Sequence, residues 1–261
     1  MAKAPKKTII SGEHFVVYGG YLLAAAIGGG SWAQAETSLV TKIISRPLNA
    51  EAFLPDHIPK SLEPIAEALK AALDYPGERK GIDLMIGSNL LLASGLGSSS
   101  SIVVAAIATT ANTLGHSLSN EKLVGLALVS EKLIHINPSG IGVNLSIHDS
   151  IILFKKCIKL EKIDLKIPTN FIVGFSGTRR KTSTMINRVL QRKNEQPFFF
   201  NALINSSSTL SQYTASTLKL NDLSSLGSIM NFYYGLLSWL GLSIPLIDKM
   251  VNEAQSRSSR R

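Results

Sequence analysis

The chain has 261 residues, 45% of them hydrophobic and 17% charged, and this composition excludes an intrinsically disordered protein. It contains no run of 18 apolar residues, and its first residues, MAKAPKKTII, lack the apolar core of a signal peptide, so we expect a cytoplasmic protein without membrane spans. The single cysteine, Cys157, excludes an intramolecular disulfide and a multi-cysteine zinc site.

The net charge of +9 favours a polyanionic partner, either nucleic acid or ATP and phosphorylated metabolites. Because the basic residues are not interleaved with aromatic ones, we expect no nucleic-acid partner.

The first half of the chain has the pattern of strands broken by glycine turns, with one helix. We predict a strand that enters a loop over 8–18, a short buried segment over 22–27 that ends at Gly28-Gly29-Gly30, and strands over 36–45 and 83–86. The apolar spacing predicts a helix over 61–73, with Ser61 as a cap.

Helical patterns dominate the rest of the chain. An apolar segment of small residues predicts a buried helix from about Ser99 to Leu114, followed by a helix over 121–135. We predict strands over 151–154 and 171–175, and then helices over 185–192, 198–218, 223–240 and 244–254. The sequence therefore predicts an α+β protein of two closely packed lobes, with domains over 1–165 and 166–261.

The most informative segment is Gly95-Leu96-Gly97-Ser98-Ser99, which precedes the buried helix. The glycines let the backbone approach a phosphate closely, and the helix N-terminus offers free N–H groups to an anion. The segment is neither a Walker motif, since no Gly-Lys-Ser/Thr follows, nor a GxGxxG motif, since Ser100 stands where the third glycine would be.

Two further clusters of polar residues accompany this loop. Near the start, Lys7 precedes Gly12-Glu13-His14-Phe15-Val16-Val17-Tyr18-Gly19. In the middle, Glu131 lies on the last turn of the predicted helix over 121–135, which runs into Asn137-Pro138-Ser139-Gly140. Three polar clusters in this order are not expected by chance, which favours a functional role for the glycine-rich loop over a structural one.

In this order the three segments resemble the GHMP kinase superfamily, and most closely its mevalonate kinase branch. The motifs GEHFVVYG and GLGSS and the segment SEKLIHINPSG carry the resemblance, and Val173–Thr182 is similar to the family's third region. The resemblance implies a two-lobed GHMP kinase fold. Its first lobe would be like domain 2 of ribosomal protein S5, and its second lobe would be ferredoxin-like and helical.

The resemblance also implies an activity, namely transfer of the γ-phosphate of ATP to the primary hydroxyl of mevalonate in isoprenoid lipid synthesis. It implies that the ATP phosphates lie on Gly95, Leu96, Gly97, Ser98 and Ser99, and that Ser99 and Glu131 hold Mg²⁺. Lys7 would be the catalytic residue beside the accepting hydroxyl, and the substrate would contact Glu13, His14, Ser139 and Thr182. Dimerisation through the first lobe is a further expectation from the family.

Two of the chain's departures from the family pattern bear most on its activity. After Pro-Ser-Gly-Ile the family carries an aspartate, the proposed base, whereas this chain has Gly142. The family's last motif, a GAGGGG-like turn and strand, is absent, because the chain ends in QSRSSRR after Ala254. We therefore expect an incomplete second lobe.

Several functional alternatives remain open at this point. The basic cluster Arg179-Arg180-Lys181 suits a phosphorylated acceptor, which favours a phosphomevalonate kinase or another small-molecule kinase of the superfamily. Gly142 favours a nucleotide-binding pseudokinase or a truncated inactive form. A nucleic-acid-binding protein would instead show an affinity that falls steeply with salt.

Overall fold

A computed structural model describes residues 1–75, 80–88, 95–134, 138–178 and 182–258. Two compact units divide the chain: Met1–Thr8 with Ala24–Ile152, and Ile9–Leu23 with Leu153–Arg261. These units differ from the predicted domains 1–165 and 166–261, because residues 9–23 belong to the second unit and the later division falls at residue 152. Among the described residues, no helix is long and apolar enough to span a membrane.

The strands form one sheet of seven, named β1 to β7 in chain order. They run over Ala2–Ser11, Leu22–Ser38, Thr41–Ser45, Ala50–Leu54, Gly81–Ser88, Ile151–Lys155 and Lys159–Ile163. Their order is β4-β3-β5-β2-β6-β7, and β1 pairs with β2 outside this path. In the antiparallel pair β2–β5, Ala33 stands opposite Ile86, and in the parallel pair β3–β5, Ile43 stands opposite Leu84. Because side chains alternate along a strand, these four residues share one face, and all four are buried in the core of the first unit.

Four helices complete the first unit: α1 (Glu63–Asp74), α2 (Ser98–Thr113), α3 (Asn120–Ile134) and α4 (Ile141–His148). The predictions of the first three are confirmed to within two residues. The helix α2 is buried along most of its length, and Thr109 Oγ1 donates to the carbonyl oxygen of Ala33 on β2 at 3.0 Å. Ser61 does not cap α1, which begins after Leu62 without a side-chain cap. The sheet and the buried α2 hold the glycine-rich loop that precedes α2.

The predicted break at Gly28-Gly29-Gly30 is wrong, since all three glycines lie inside the 17-residue strand β2. The reason is the close approach of β1. A Cβ atom at Gly30 would lie 1.9 Å from the carbonyl oxygen of Ala4, so only glycine fits there. A run of glycines that looks like a turn in the sequence is here a place where two strands approach closely.

One predicted strand is not a strand, and the segment predicted as a strand entering a loop contains a short helix. Residues Phe15–Tyr18 form a 3-10 helix, which lies between His14 and Gly19, both with positive φ. Residues 171–175 have no regular secondary structure, and the Ile172 side chain is fully exposed. Both segments have the composition of a strand, but neither pairs with a partner strand among the described residues.

The second unit contains the remaining helices: α5 (Thr182–Glu195), α6 (Pro197–Leu220), α7 (Leu223–Trp239) and α8 (Pro245–Ser258). All four were predicted, with ends that differ by four residues or fewer. Their core includes Phe200 of α6 and Tyr233 of α7, packed with Phe15 of the 3-10 helix. The rings of Phe15 and Phe200 have centroids 5.9 Å apart. This packing explains why residues 9–23 belong to the second unit.

A buried network of hydroxyl groups joins residues 9–23 to α6 and α7. The Ser211 hydroxyl accepts a hydrogen bond from Ser11 Oγ at 3.2 Å and donates to the carbonyl oxygen of Tyr21 at 3.1 Å. The Tyr233 hydroxyl lies 2.8 Å from Ser211 Oγ and 3.0 Å from Ser207 Oγ, and it also donates to the carbonyl oxygen of Ser207. Removal of one member leaves buried polar atoms without their partner.

We expect the substitution Tyr233→Phe to lower the free energy of unfolding by about 1–3 kcal/mol, because it strips this network of its central hydroxyl. Burial raises the pKa of Tyr233, so the folded state binds this proton more tightly than the unfolded state does. The stability contributed by the protonated phenol is therefore complete below about pH 10 and is lost as the pH rises through the folded pKa.

Urea denaturation at neutral and alkaline pH measures both effects. The alkaline decline in stability should be smaller in Tyr233→Phe than in the parent chain. The matched control is Tyr213→Phe, since Tyr213 lies on α6 but is 53% exposed. Equal effects of the two substitutions would contradict a specific role of the network.

Candidate active site

The glycine-rich loop ends in the first turn of α2. Gly95 and Gly97 have φ values of +81° and +68°, the left-handed region that favours glycine. The first backbone hydrogen bond of the turn is donated by Ser101 N to the carbonyl oxygen of Gly97, at 3.4 Å. In an α-helix the amide groups before this point have no partner within the helix. Ser98 is buried and Ser99 exposed, and their amides lie where a helix N-terminus attracts an anion.

Lys7 lies directly against this loop. Its backbone N–H donates to the carbonyl oxygen of Leu96 at 3.0 Å, which fixes the middle of β1 beside the turn. Its side chain crosses Gly97, because a Cβ atom there would lie 2.6 Å from Lys7 Cγ and 3.0 Å from Lys7 Cε. The structure thus brings Lys7 and the loop Gly95–Ser99 together.

The neighbouring Lys6 has a different environment. Successive residues of a strand point to opposite faces, so the Lys6 side chain leaves β1 on the face opposite to that of Lys7. Its side chain is fully buried, and this burial lowers the pKa of its ammonium group. Of the two adjacent lysines, only Lys7 lies at the helix N-terminus.

Glu131, near the end of α3, is buried and points toward α2. Its Oε1 accepts a hydrogen bond from Ser100 Oγ at 2.6 Å. The sequence prediction paired Glu131 with Ser99, but Ser99 is exposed, and the hydroxyl that contacts Glu131 comes from the next residue. Sequence reasoning missed Ser100, because four consecutive serines give no signal as to which one faces α3.

Ser139 and Gly142 lie at the start of α4. The Ser139 hydroxyl accepts from the backbone N–H of Ile141 at 3.4 Å, so it lies in the turn that opens this helix. A Cβ atom at Gly142 would lie 2.3 Å from Ser100 Oγ and 3.2 Å from Glu131 Oε1. Residue 142 therefore faces the Ser100–Glu131 pair. Asp149 follows the last residue of α4, about 10 Å along the helix axis from residue 142, and it does not replace a carboxylate there.

The other predicted site residues belong to the second unit. Glu13 is exposed and its carbonyl oxygen accepts from Phe15 N at 2.8 Å, while His14, partly exposed, precedes the 3-10 helix with a φ of +64°. Thr182 is the first residue of α5, and its side chain lies outside the described part of the structure. The cluster Arg179-Arg180-Lys181 also lies outside the described residues.

The groups at the start of α2 fit a magnesium–nucleotide site by their chemistry. No cluster of three or more His, Cys, Asp or Glu side chains suited to a metal occurs among the described residues. The available donors are one buried carboxylate, from Glu131, and the hydroxyls of Ser98, Ser99 and Ser100. Mg²⁺ prefers oxygen ligands, and it is commonly bound through one or two carboxylates together with substrate phosphates. Such a site suits the ion only together with the phosphates of a nucleotide.

Comparisons with known proteins agree with this geometry. Residues 61–148 match the model of the GHMP kinases N terminal domain, a range that includes α1 to α4 and the glycine-rich loop. A mevalonate kinase of Pyrococcus horikoshii is 29% identical over 277 residues, which cover 98% of this chain and 82% of the relative.

Solved structures agree in fold. A Methanococcus jannaschii mevalonate kinase superposes with a TM-score of 0.77 at 22% identity, over 96% of this chain and 82% of the other. A Streptococcus pneumoniae phosphomevalonate kinase in complex with phosphomevalonate and AMPPNP gives a TM-score of 0.77 at 17% identity, over 91% and 79% of the two chains. The predicted α+β class and two-lobed fold are confirmed, and so is the predicted resemblance to the GHMP kinase superfamily.

Proposed function

We propose that this chain transfers the γ-phosphate of ATP to the primary hydroxyl of mevalonate. The observation that carries the proposal is the position of Lys7, whose side chain crosses the glycine-rich turn at the N-terminus of α2. A cation beside a helix N-terminus suits a reaction in which negative charge moves between phosphate oxygens. The mevalonate kinases at 27–29% identity support mevalonate as the acceptor.

In this mechanism the ATP phosphates lie on the amides of Gly95–Ser99. Mg²⁺, held through Glu131 and a serine hydroxyl, would neutralise charge on those phosphates. The Lys7 ammonium favours the alkoxide form of the accepting hydroxyl and attracts the transferred phosphoryl group. Phosphoryl transfer depends mainly on positioning and electrostatics, and these groups supply both.

The acceptor pocket is part of the same proposal. Glu13 and His14 would line the mevalonate pocket, and Ser139 and Thr182 would contribute hydroxyl groups near the substrate. We also propose that the enzyme acts in the cytoplasm and that it dimerises through the first lobe.

Gly142 affects the rate expected of this enzyme. A general base typically contributes about 10²–10⁴-fold, and no carboxylate occupies residue 142. In a loose transition state, however, the accepting hydroxyl loses its proton late. The late proton can pass to an oxygen of the transferred phosphoryl group or to water, so Lys7, with the Mg²⁺ that Glu131 would hold, would support a slower kinase.

The test is ADP release from Mg-ATP with mevalonate, 5-phosphomevalonate, homoserine and galactose measured in parallel. We expect turnover with mevalonate alone. Turnover with 5-phosphomevalonate would instead favour the phosphomevalonate kinase alternative, to which the basic cluster at 179–181 lends weight. Nucleotide binding without turnover of any acceptor would refute the catalytic proposal and leave a pseudokinase.

A further inference from the structure

We infer that Ser100 is a positioning residue for the Glu131 carboxylate, and that it can act as one only because residue 142 has no side chain. The inference rests on the proposed function, in which Glu131 helps to hold the metal–nucleotide complex. The proposed function does not itself require either Ser100 or Gly142.

The Ser100–Glu131 contact has the geometry of a strong hydrogen bond. Its length is 2.6 Å, and the two residues are 8% and 6% exposed. A hydroxyl bound to a carboxylate at this distance forms a charge-assisted bond, about twice as strong as a neutral one. Since Ser100 belongs to the rigid first turn of α2, the bond fixes Oε1 of Glu131 relative to the glycine-rich loop.

Gly142 faces the same bond from α4. A Cβ atom on residue 142 would lie 2.3 Å from Ser100 Oγ and 2.9 Å from Ser100 Cβ. Rotation of the Ser100 hydroxyl would relieve the first clash but not the second, because the Cβ position is set by the backbone of α2. Any side chain at residue 142 must therefore shift α2 or α4 and disturb the bond to Glu131. The same site accommodates either the Ser100 side chain or a side chain at 142, but not both.

The steric conflict between Ser100 and residue 142 changes the effect expected when a carboxylate is introduced at residue 142. The single substitution Gly142→Asp should weaken the site rather than improve it, because the new side chain displaces Ser100. Ser100→Gly removes both clashing serine atoms and leaves Glu131 Oε1, 3.2 Å from the added Cβ position, as the nearest remaining atom outside α4 among the described residues. The double variant should therefore turn over faster than Gly142→Asp alone.

The first experiment measures binding of AMPPNP by calorimetry at several Mg²⁺ concentrations, without an acceptor. We expect Ser100→Ala to raise the half-saturating Mg²⁺ concentration by about 10–100-fold, the usual effect of losing a group that orients a metal ligand. Binding measured without Mg²⁺ should change little. The matched control is Ser101→Ala. It removes an equally buried hydroxyl from the next residue, whose Oγ lies 2.8 Å from Ser31 Oγ. An unchanged Mg²⁺ dependence in Ser100→Ala would overturn the inference.

The second experiment is a cycle with Gly142→Ala and Ser100→Gly, read by the same calorimetry and by thermal unfolding without ligand. Gly142→Ala alone should raise the half-saturating Mg²⁺ concentration about tenfold, although it leaves both Ser100 and Glu131 in the chain. In the Ser100→Gly background the same substitution should have a much smaller effect on Mg²⁺ dependence, because only the 3.2 Å approach of its Cβ to Glu131 Oε1 remains. It should also raise the melting temperature there, because alanine is the better helix former. Independent effects of the two substitutions would refute the coupling, and this cycle decides the question if Ser100→Ala folds poorly.

These outcomes separate the inference from the proposed function. Coupled Mg²⁺ dependence in a chain that turns over no mevalonate would refute the acceptor and retain the role of Ser100. Mevalonate turnover with identical Mg²⁺ dependence in the parent chain and Ser100→Ala would retain the function and refute the role of Ser100. A parent chain that binds no nucleotide would overturn both.

Discussion

The substitution Lys7→Met is expected to lower kcat by about 10²–10³-fold, with little change in the free energy of unfolding. Methionine keeps an unbranched stem of similar length, so it continues to cover Gly97, where Lys7 Cγ lies 2.6 Å from an added Cβ position. What it removes is the positive charge beside the N-terminus of α2. Because that charge acts mainly on the developing phosphoryl and alkoxide charges, KM for ATP should change much less than kcat.

Steady-state kinetics with mevalonate and Mg-ATP, together with urea denaturation, measure this prediction. The control is Lys3→Met, which makes the same change in charge at an exposed position of the same strand. Equal loss of kcat in both variants would point to the overall charge rather than to Lys7. A large loss of stability in Lys7→Met would show that the residue acts in folding, which would contradict its proposed catalytic role.

Short-range patterns in the sequence predicted the glycine-rich loop and the helices α2 and α3. Glycines followed by serines and a long apolar segment specified the loop and the buried helix α2, and the observed helix begins one residue before the predicted start. The helix α3, with Glu131 in its last turn, followed from the apolar spacing. These features were predictable because helix periodicity and glycine turns are set over a few neighbouring residues.

The features that the sequence did not predict depend on contacts between residues far apart in the chain. Whether Ser99 or Ser100 meets Glu131 is decided by how α3 packs against α2, 31 residues away in sequence. The glycines at 28–30 have the composition of a turn, but they lie inside the strand β2. Because β1 approaches β2 closely there, only glycine fits at residue 30. Residues 15–18 and 171–175 have strand composition without a partner strand. Strand propensity alone therefore favoured strands that do not form. Local sequence also could not identify which serine contacts Glu131.

The substitution Gly97→Ala is expected to lower kcat by up to about 10²-fold, because it displaces the catalytic group without changing it. The new methyl group would meet the Lys7 stem at 2.6 Å, and the side chain would have to leave its position over the turn. Alanine at a φ of +68° also costs about 1–2 kcal/mol of stability, so the backbone effect must be measured separately.

Gly95→Ala provides that measurement. Gly95 has a similar φ of +81°, and no described atom lies within 4 Å of its added Cβ. Both variants should lose similar stability and should raise KM for ATP, because both strain the phosphate loop. Only Gly97→Ala should in addition lose most of its kcat at saturating ATP. If the two variants lose kcat equally, the strained loop conformation accounts for the loss of rate, and the position of the Lys7 side chain over Gly97 does not. A selective loss in Gly97→Ala that disappears in the Lys7→Met background would instead assign the rate effect to the position of the ammonium group.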